Sequence, residues 1–172
     1  MANTYIAIGT KTLTSADATS VTFTSIPQTY NHLIVMGTAA DNTSTSDLVL
    51  RLNNDATSNY AFREIHRAGN SAPTQRTSTS ISDSLGLATF SDVQPNGWLG
   101  IEIVIPNYKT TAFYKHYLYR WNCSPFNDTS IQRSATGGGV WKSSDAITEV
   151  KLLKTGANFF AAGTKFTLYG LL

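Results

Sequence analysis

Gly97–Trp121, GWLGIEIVIPNYKTTAFYKHYLYRW, contains the two strongest strand signals in the chain. In Gly100–Pro106, Ile101, Ile103 and Ile105 alternate with Glu102 and Val104, the period of a strand with one buried face. Pro106 and Asn107 end the run, because proline has no N–H to give a ladder and asparagine suits turns. After Lys109-Thr110 the chain resumes with Phe113, Tyr117, Tyr119 and Trp121 on one face, and Tyr114, His116, Leu118 and Arg120 on the other. Two β-branched and aromatic segments this close together predict an antiparallel pair at the centre of a sheet.

Upstream of this pair the same reading continues. Tyr5–Leu13 is a strand with Gly9 as a bulge, and Ser20–Ile26 alternates with Val21 and Phe23 inward. His32–Ala40 is apolar enough to be buried on both faces. Leu48–Leu52 alternates again, and Tyr60–Arg67 places Tyr60, Phe62, Glu64 and His66 on one side. The Ser/Thr-rich Gly69–Ser84 is expected to be a long loop without regular structure, followed by a short strand over Leu85–Phe90. Downstream, Asn122–Thr129 reads as a loop, and Gly137-Gly138-Gly139 within Ile131–Trp141 predicts a bulge or bend. Ala146–Leu153 and Lys165–Leu171 are the closing strands. No stretch has a helical period, and no linker or internal repeat interrupts the chain. The prediction is an all-β, single-domain antiparallel β-sandwich over residues 1–172, jelly-roll-like, with about ten strands.

At 172 residues the chain can bury roughly two-thirds of its unfolded surface in one core. Charged residues are 14% of it, against roughly a quarter in ordinary soluble domains, and Ser, Thr, Asn and Gly supply the polarity instead. So little charge predicts that a partner covers part of the surface. The net charge of +2 comes from scattered basic residues, which excludes the clustered basic face of a nucleic-acid binder. No apolar run approaches the roughly 18 residues of a membrane span. Cys123 is the single cysteine, so no disulfide forms within the chain. Met1-Ala2-Asn3-Thr4 leads directly into strand-like sequence without a basic or apolar leader, and the expected site of folding is a cytosol.

The groups that carry chemistry do not assemble into a motif. His32, His66 and His116 are far apart, without the close ligand pairs of a zinc site. Asp41, Asp47 and Asp55 lack the ligand spacing of a calcium loop. There is no G-x-S-x-G elbow, and no histidine lies near Cys123 in sequence. The triple glycine lacks the Lys-Ser or Lys-Thr of a phosphate loop. Glu64, Glu102 and Glu149 are candidates for paired carboxylates only by being glutamates. The expectation is a protein that is not an enzyme, with no cofactor and no metal.

The aromatics carry two readings. Trp98, Trp141 and the tyrosines at 60, 108 and 114 could offer flat apolar surfaces with polar rims to sugars or to protein partners. Equally, they could fill the sandwich core or a subunit interface. Trp98, Tyr108, Tyr114 and Trp141 are the candidate contact residues.

The order of short motifs along the chain resembles a family of small β-sandwich structural proteins of tailed bacteriophages. The resemblance runs through Ile8-Gly9-Thr10-Lys11-Thr12-Leu13 and Val21-Thr22-Phe23-Thr24-Ser25-Ile26-Pro27-Gln28-Thr29-Tyr30. It continues in Leu48–Asn53, Ser58-Asn59-Tyr60, Ile105-Pro106-Asn107-Tyr108, Trp141 and Ala146-Ile147-Thr148. It closes on Gly163-Thr164-Lys165-Phe166-Thr167-Leu168-Tyr169-Gly170. The resemblance implies a virion component: a capsid decoration (cement) protein, a head fibre or a tail appendage. Its expected partners are copies of itself, as a homotrimer, and the major capsid protein or other virion proteins. The alternative is a glycan- or receptor-binding module of a tail fibre, with host-surface glycans stacked on the exposed aromatics.

Overall fold

The computed structural model describes residues 5–15, 18–40, 47–69, 71–81, 88–89, 98–124, 132–155 and 160–172. Among the described residues there are twelve strands and no helix. They are β1 (Tyr5–Thr12), β2 (Ser20–Phe23), β3 (His32–Ala40), β4 (Asp47–Leu52), β5 (Tyr60–Ala68) and β6 (Thr74–Ile81). The second half of the chain supplies β7 (Ala88–Thr89), β8 (Trp98–Pro106), β9 (Lys115–Ser124), β10 (Arg133–Trp141), β11 (Val150–Lys154) and β12 (Lys165–Leu171). One sheet has the order β1-β12-β3-β8-β9-β10-β5-β6 and the other β2-β11-β4-β7, with every pairing antiparallel.

Eight of these strands form a jelly roll. The row β1-β12-β3-β8 packs against the row β2-β11-β4-β7, the interleaving that two successive Greek keys produce. The other four strands are two inserted hairpins, β5–β6 between β4 and β7, and β9–β10 between β8 and β11. They join each other through β10 and β5 and extend the larger sheet into a four-stranded wing. The expected sandwich is therefore present, with two more strands than the sequence pattern predicts.

The central pair is β8 and β9, running antiparallel from Trp98 opposite Ser124 to Val104 opposite Leu118. Leu99, Ile101, Ile103 and Ile105 of β8, and Tyr117, Tyr119 and Trp121 of β9, are buried on the inner face. Leu33, Ile34 and Val35 of β3 are buried on both faces, as the apolar run requires. The bulge in β1 falls between Ala7 and Gly9 against β12. These inner residues, with Leu48, Leu50 and Leu52 of β4 and Val150 and Leu152 of β11, make one contiguous core.

Five expectations need correction. Residues 74–81 of the expected loop are the strand β6, whose ladder with β5 needs only a β-compatible Ser/Thr backbone at a sheet edge. Asn122 and Cys123 are not loop residues but continue β9, and Cys123 is buried. The run Gly137-Gly138-Gly139 neither bends nor bulges; β10 pairs regularly with both neighbours throughout. Ala146–Glu149 lies outside the strand expected there, which starts at Val150. Phe113 precedes β9 and is exposed. Of Leu85–Phe90, Ala88 and Thr89 form β7, while 85–87 and 90 lie outside the described residues, as do Asp41 and 125–129.

The triple glycine has a packing reason. On the inner face Tyr117 of β9 sits opposite Gly139 and Tyr119 opposite Gly137, and their rings lie across β10 to reach β5. The Tyr117 hydroxyl donates to Ala61 O at 3.3 Å, and the Tyr119 hydroxyl donates to Glu64 Oε2 at 2.9 Å. A Cβ at Gly137 would sit 2.8 Å from the Tyr119 hydroxyl and 2.6 Å from Arg63 O. Glycine is the residue that leaves β10 flat enough for two tyrosines to lie on it.

Candidate functional site

Beneath the wing is a buried polar cluster. Glu64 is 1% exposed, accepts the Tyr119 hydroxyl, and pairs with Arg76 of β6 at 3.0 Å. Burial, then the Glu64 charge and its hydrogen bond, push the Tyr119 phenol far above its ordinary range. His66 lies against Trp121 with ring centroids 5.7 Å apart, and burial lowers its pKa despite the neighbouring Glu64. Glu64 satisfies β6: an edge strand of Thr and Ser is anchored by one arginine to a carboxylate that no solvent reaches. Tyr119→Phe leaves that carboxylate short of a donor and is expected to destabilise the fold by about 1.5–3 kcal/mol, read from urea unfolding. An unchanged midpoint would place the Tyr119–Glu64 bond outside the stability of the wing.

The remaining groups with possible chemistry are dispersed. Glu102 pairs with Arg120 on the outer face at 2.9 Å, the side opposite Glu64. Asp55 is engaged by Thr57, Asn59 and Trp141. Nδ1 of His32 accepts the Asn107 N–H at 3.2 Å, and His116 is exposed on the outer face of β9. Among the described residues no three His, Cys, Asp or Glu side chains gather as a metal group would require. Burial pushes the Cys123 thiol up to about 11, so it is protonated near neutral pH. Lys115 is wholly buried, and its ammonium donates to Phe113 O and Ser144 O at 3.2 and 2.9 Å.

The four candidate aromatics separate into two pairs. Tyr108 is fully buried and donates its hydroxyl to Pro27 O, and Trp141 is 2% exposed, stacked on Tyr60 and bonded through its indole N–H to Asp55 at 2.7 Å. Both rings fill the core. Tyr114 is 53% exposed in the connection between β8 and β9, beside the exposed Phe113. Trp98 is 44% exposed at the start of β8.

Trp98 stands at a cleft of about 530 Å³, which Arg67, Asn122, Gln132, Arg133 and Ser134 also line. Strand pairing sets the spacing: Gly100, Asn122, Ser134 and Arg67 are consecutive partners across β8, β9, β10 and β5. Two glycines shape the cleft. A Cβ at Gly100 would lie 2.9 Å from Asn122 Oδ1, so the amide leans over the bare backbone of β8. Gly163, at φ +88°, lies under the edge of the Trp98 ring, where a Cβ would be 3.1 Å from Cη2. Among the described residues no carboxylate lines this cleft. Trp98 was legible in the sequence as a candidate; Arg67, Asn122, Gln132 and Ser134 were not, because only strand pairing brings them together.

A second surface feature is apolar. Leu118 and Ile65 on the outer face of the wing are 61% and 58% exposed, and Tyr5 at the far edge of the same sheet is 52% exposed. Leu118, Val140 and Ala61 border a shallow depression over Gly138, with His116 and Arg63 at its rim. Among the described residues no helix is long and apolar enough to cross a membrane. Comparison with protein-family models, with curated proteins and with solved structures gives no match.

Proposed function

We propose that this chain is a non-enzymatic structural protein of a tailed-phage virion, a capsid decoration (cement) protein or head appendage that self-associates as a trimer and docks on the major capsid protein. The observation that carries this reading is the outer face of the eight-stranded sheet. Tyr5, Ile65, Trp98 and Leu118 are large, exposed and on that one face, where a monomer would gain solubility from charge. The family resemblance and the low charge content point the same way. Light scattering on the eluted protein is expected to give three times the chain mass, and Leu118→Asp with Ile65→Asp to reduce it while the circular dichroism of the sheets persists. Purified particles are expected to contain the chain. A monomeric mass overturns the trimer, and absence from particles overturns the virion assignment.

The cleft at Trp98 favours a second reading, a glycan- or receptor-binding β-sandwich module of a tail fibre. An exposed indole beside an amide, a hydroxyl and a guanidinium is a surface suited to a sugar. Trp98 is common to both readings; the first adds Leu118, Ile65 and Tyr5, and the second adds the polar lining of the cleft.

A further inference from the structure

The three glycines of β10 do not share one cause. Gly137 and Gly139 make room for Tyr119 and Tyr117 on the inner face, but Gly138 points outward, where a Cβ would meet Leu118 Cδ2. With Ala61 of β5 it floors a hollow of about 390 Å³, lined also by Val140, His116, Thr77 and Thr79. Directly across the ladder from Gly138 is Leu118 of β9, 61% exposed. A projecting leucine and an open hollow are therefore neighbours in one row of the sheet, about 5 Å apart at their Cα atoms. The same row continues through Val104 of β8 and Ile34 of β3, so it is apolar on the leucine side.

We propose that Leu118 of one copy seats in the Gly138 hollow of the next, about a rotation axis that runs along the seam between β9 and β10. Such an axis, parallel to the strands and above the outer face, carries the β9 side of one sheet onto the β10 side of its neighbour. Each copy then gives one leucine and receives one. The inference deepens the self-association proposed above, rests on it, and assigns its contact residues. A second copy is the occupant because knob and hollow adjoin on one surface: rotation supplies both shapes in the order the contact needs. The face also has the size. Eight strands about 4.8 Å apart and about 27 Å long give roughly 1,000 Å², and a stable interface takes about 800 Å² from each partner. Glycine is what the contact needs at 138, since every side-chain atom added there occupies space that the partner's leucine enters.

Substitutions separate a shaped contact from apolar adhesion. Gly138→Val adds apolar surface to the outer face, so adhesion alone would tighten self-association, whereas filling the hollow weakens it. Sedimentation velocity of the full chain over a concentration series reads the dissociation constant. Leu118→Ala and Gly138→Val are each expected to raise it about tenfold or more, and Gly138→Ala about threefold. The double variant Leu118→Ala/Gly138→Val exchanges knob and hollow between the two strands, and is expected to recover most of the lost affinity. Leu118 is exposed and alanine fits a strand at 138, so circular dichroism of those two variants is expected to match the native chain. They decide the matter if Gly138→Val does not fold.

An unchanged dissociation constant in Leu118→Ala and Gly138→Ala, or tighter association of Gly138→Val, overturns this contact and leaves self-association standing. A native mass of two chains that both variants reduce overturns the trimer and supports the contact. A monomeric native chain at every concentration overturns both.

Discussion

Gly139→Ala is expected to destabilise the protein by about 3 kcal/mol, at the upper end of what overpacking a core costs. The added Cβ would meet the Tyr117 hydroxyl and ring from one side and Ala61 O, 2.6 Å away, from the other. The Ala61 oxygen belongs to the backbone of β5 and is held by the ladder with β10, so neither neighbour can give by much. The backbone at 139 is not left-handed, which removes conformational strain from the comparison and leaves space as the cause. Gly138→Ala is the internal control. It points to the outer face, where its nearest neighbours would be Leu118 Cδ2 and Tyr117 O at 3.1 Å, and its expected cost is under about 1 kcal/mol. The double variant Gly139→Ala/Tyr117→Phe removes the hydroxyl, the nearest obstruction, and leaves the ring and Ala61 O in place. Its cost should fall short of the sum of the single costs by about 1 kcal/mol in a double-mutant cycle from urea unfolding. Equal costs at 138 and 139 would mean that the tyrosines do not lie on β10 as described.

That packing also marks the limit of what the amino-acid order discloses. The alternation of Ile101, Ile103 and Ile105 and the short connection to Tyr117–Trp121 make the central hairpin readable, because period and proximity are both local. Lys165–Leu171 is readable for the same reason. Three consecutive glycines argue against a regular strand until the side chains of the neighbouring strand are known, and that pairing is not local. β6 has no apolar face to announce it, and its anchor is the pairing of Arg76 with a glutamate twelve positions earlier.

The candidate site divides along the same line. Trp98, Tyr108, Tyr114 and Trp141 are visible as aromatics near turns, but a ring at a strand end is equally suited to solvent and to the core. Trp141 turns inward because Asp55 accepts its indole N–H, and Tyr108 because Pro27 O accepts its hydroxyl. The polar partners of Trp98 come from three strands spread between residues 67 and 134. Their convergence depends on the β5–β10 contact between two separately inserted hairpins, which no local period encodes.

Asp55→Ala is the second large loss expected, about 3 kcal/mol at neutral pH. The carboxylate closes the turn between β4 and β5, where Asn53 and Asn54 have φ of 51° and 54°. Oδ1 accepts from the Thr57 N–H at 2.9 Å and the Thr57 hydroxyl at 2.6 Å. Oδ2 accepts from Asn59 at 3.0 Å and from the buried Trp141 indole at 2.7 Å. Removing the carboxylate strands the indole N–H inside the core and frees the turn, two losses of about 1–3 kcal/mol each that overlap. Burial alone would raise the pKa of Asp55, but the bonds from Thr57, Trp141 and Asn59 outweigh it and hold the pKa at about 2, below the ordinary 3.8. A folded-state pKa lowered in this way gives stability that is complete above the unfolded value and is lost as pH falls through about 2. That part is worth about 2 kcal/mol at most, and about 1 after solvent screening of a partly exposed carboxylate. The gap between the native protein and Asp55→Ala should therefore be constant from pH 7 to pH 5 and narrow by about 1 kcal/mol as pH falls to 2. Urea unfolding of both proteins at pH 7, 5, 3.5 and 2 measures it. A gap of the same size at pH 2 and pH 7 would show that the charge of Asp55 contributes nothing, and that the turn is held by shape alone.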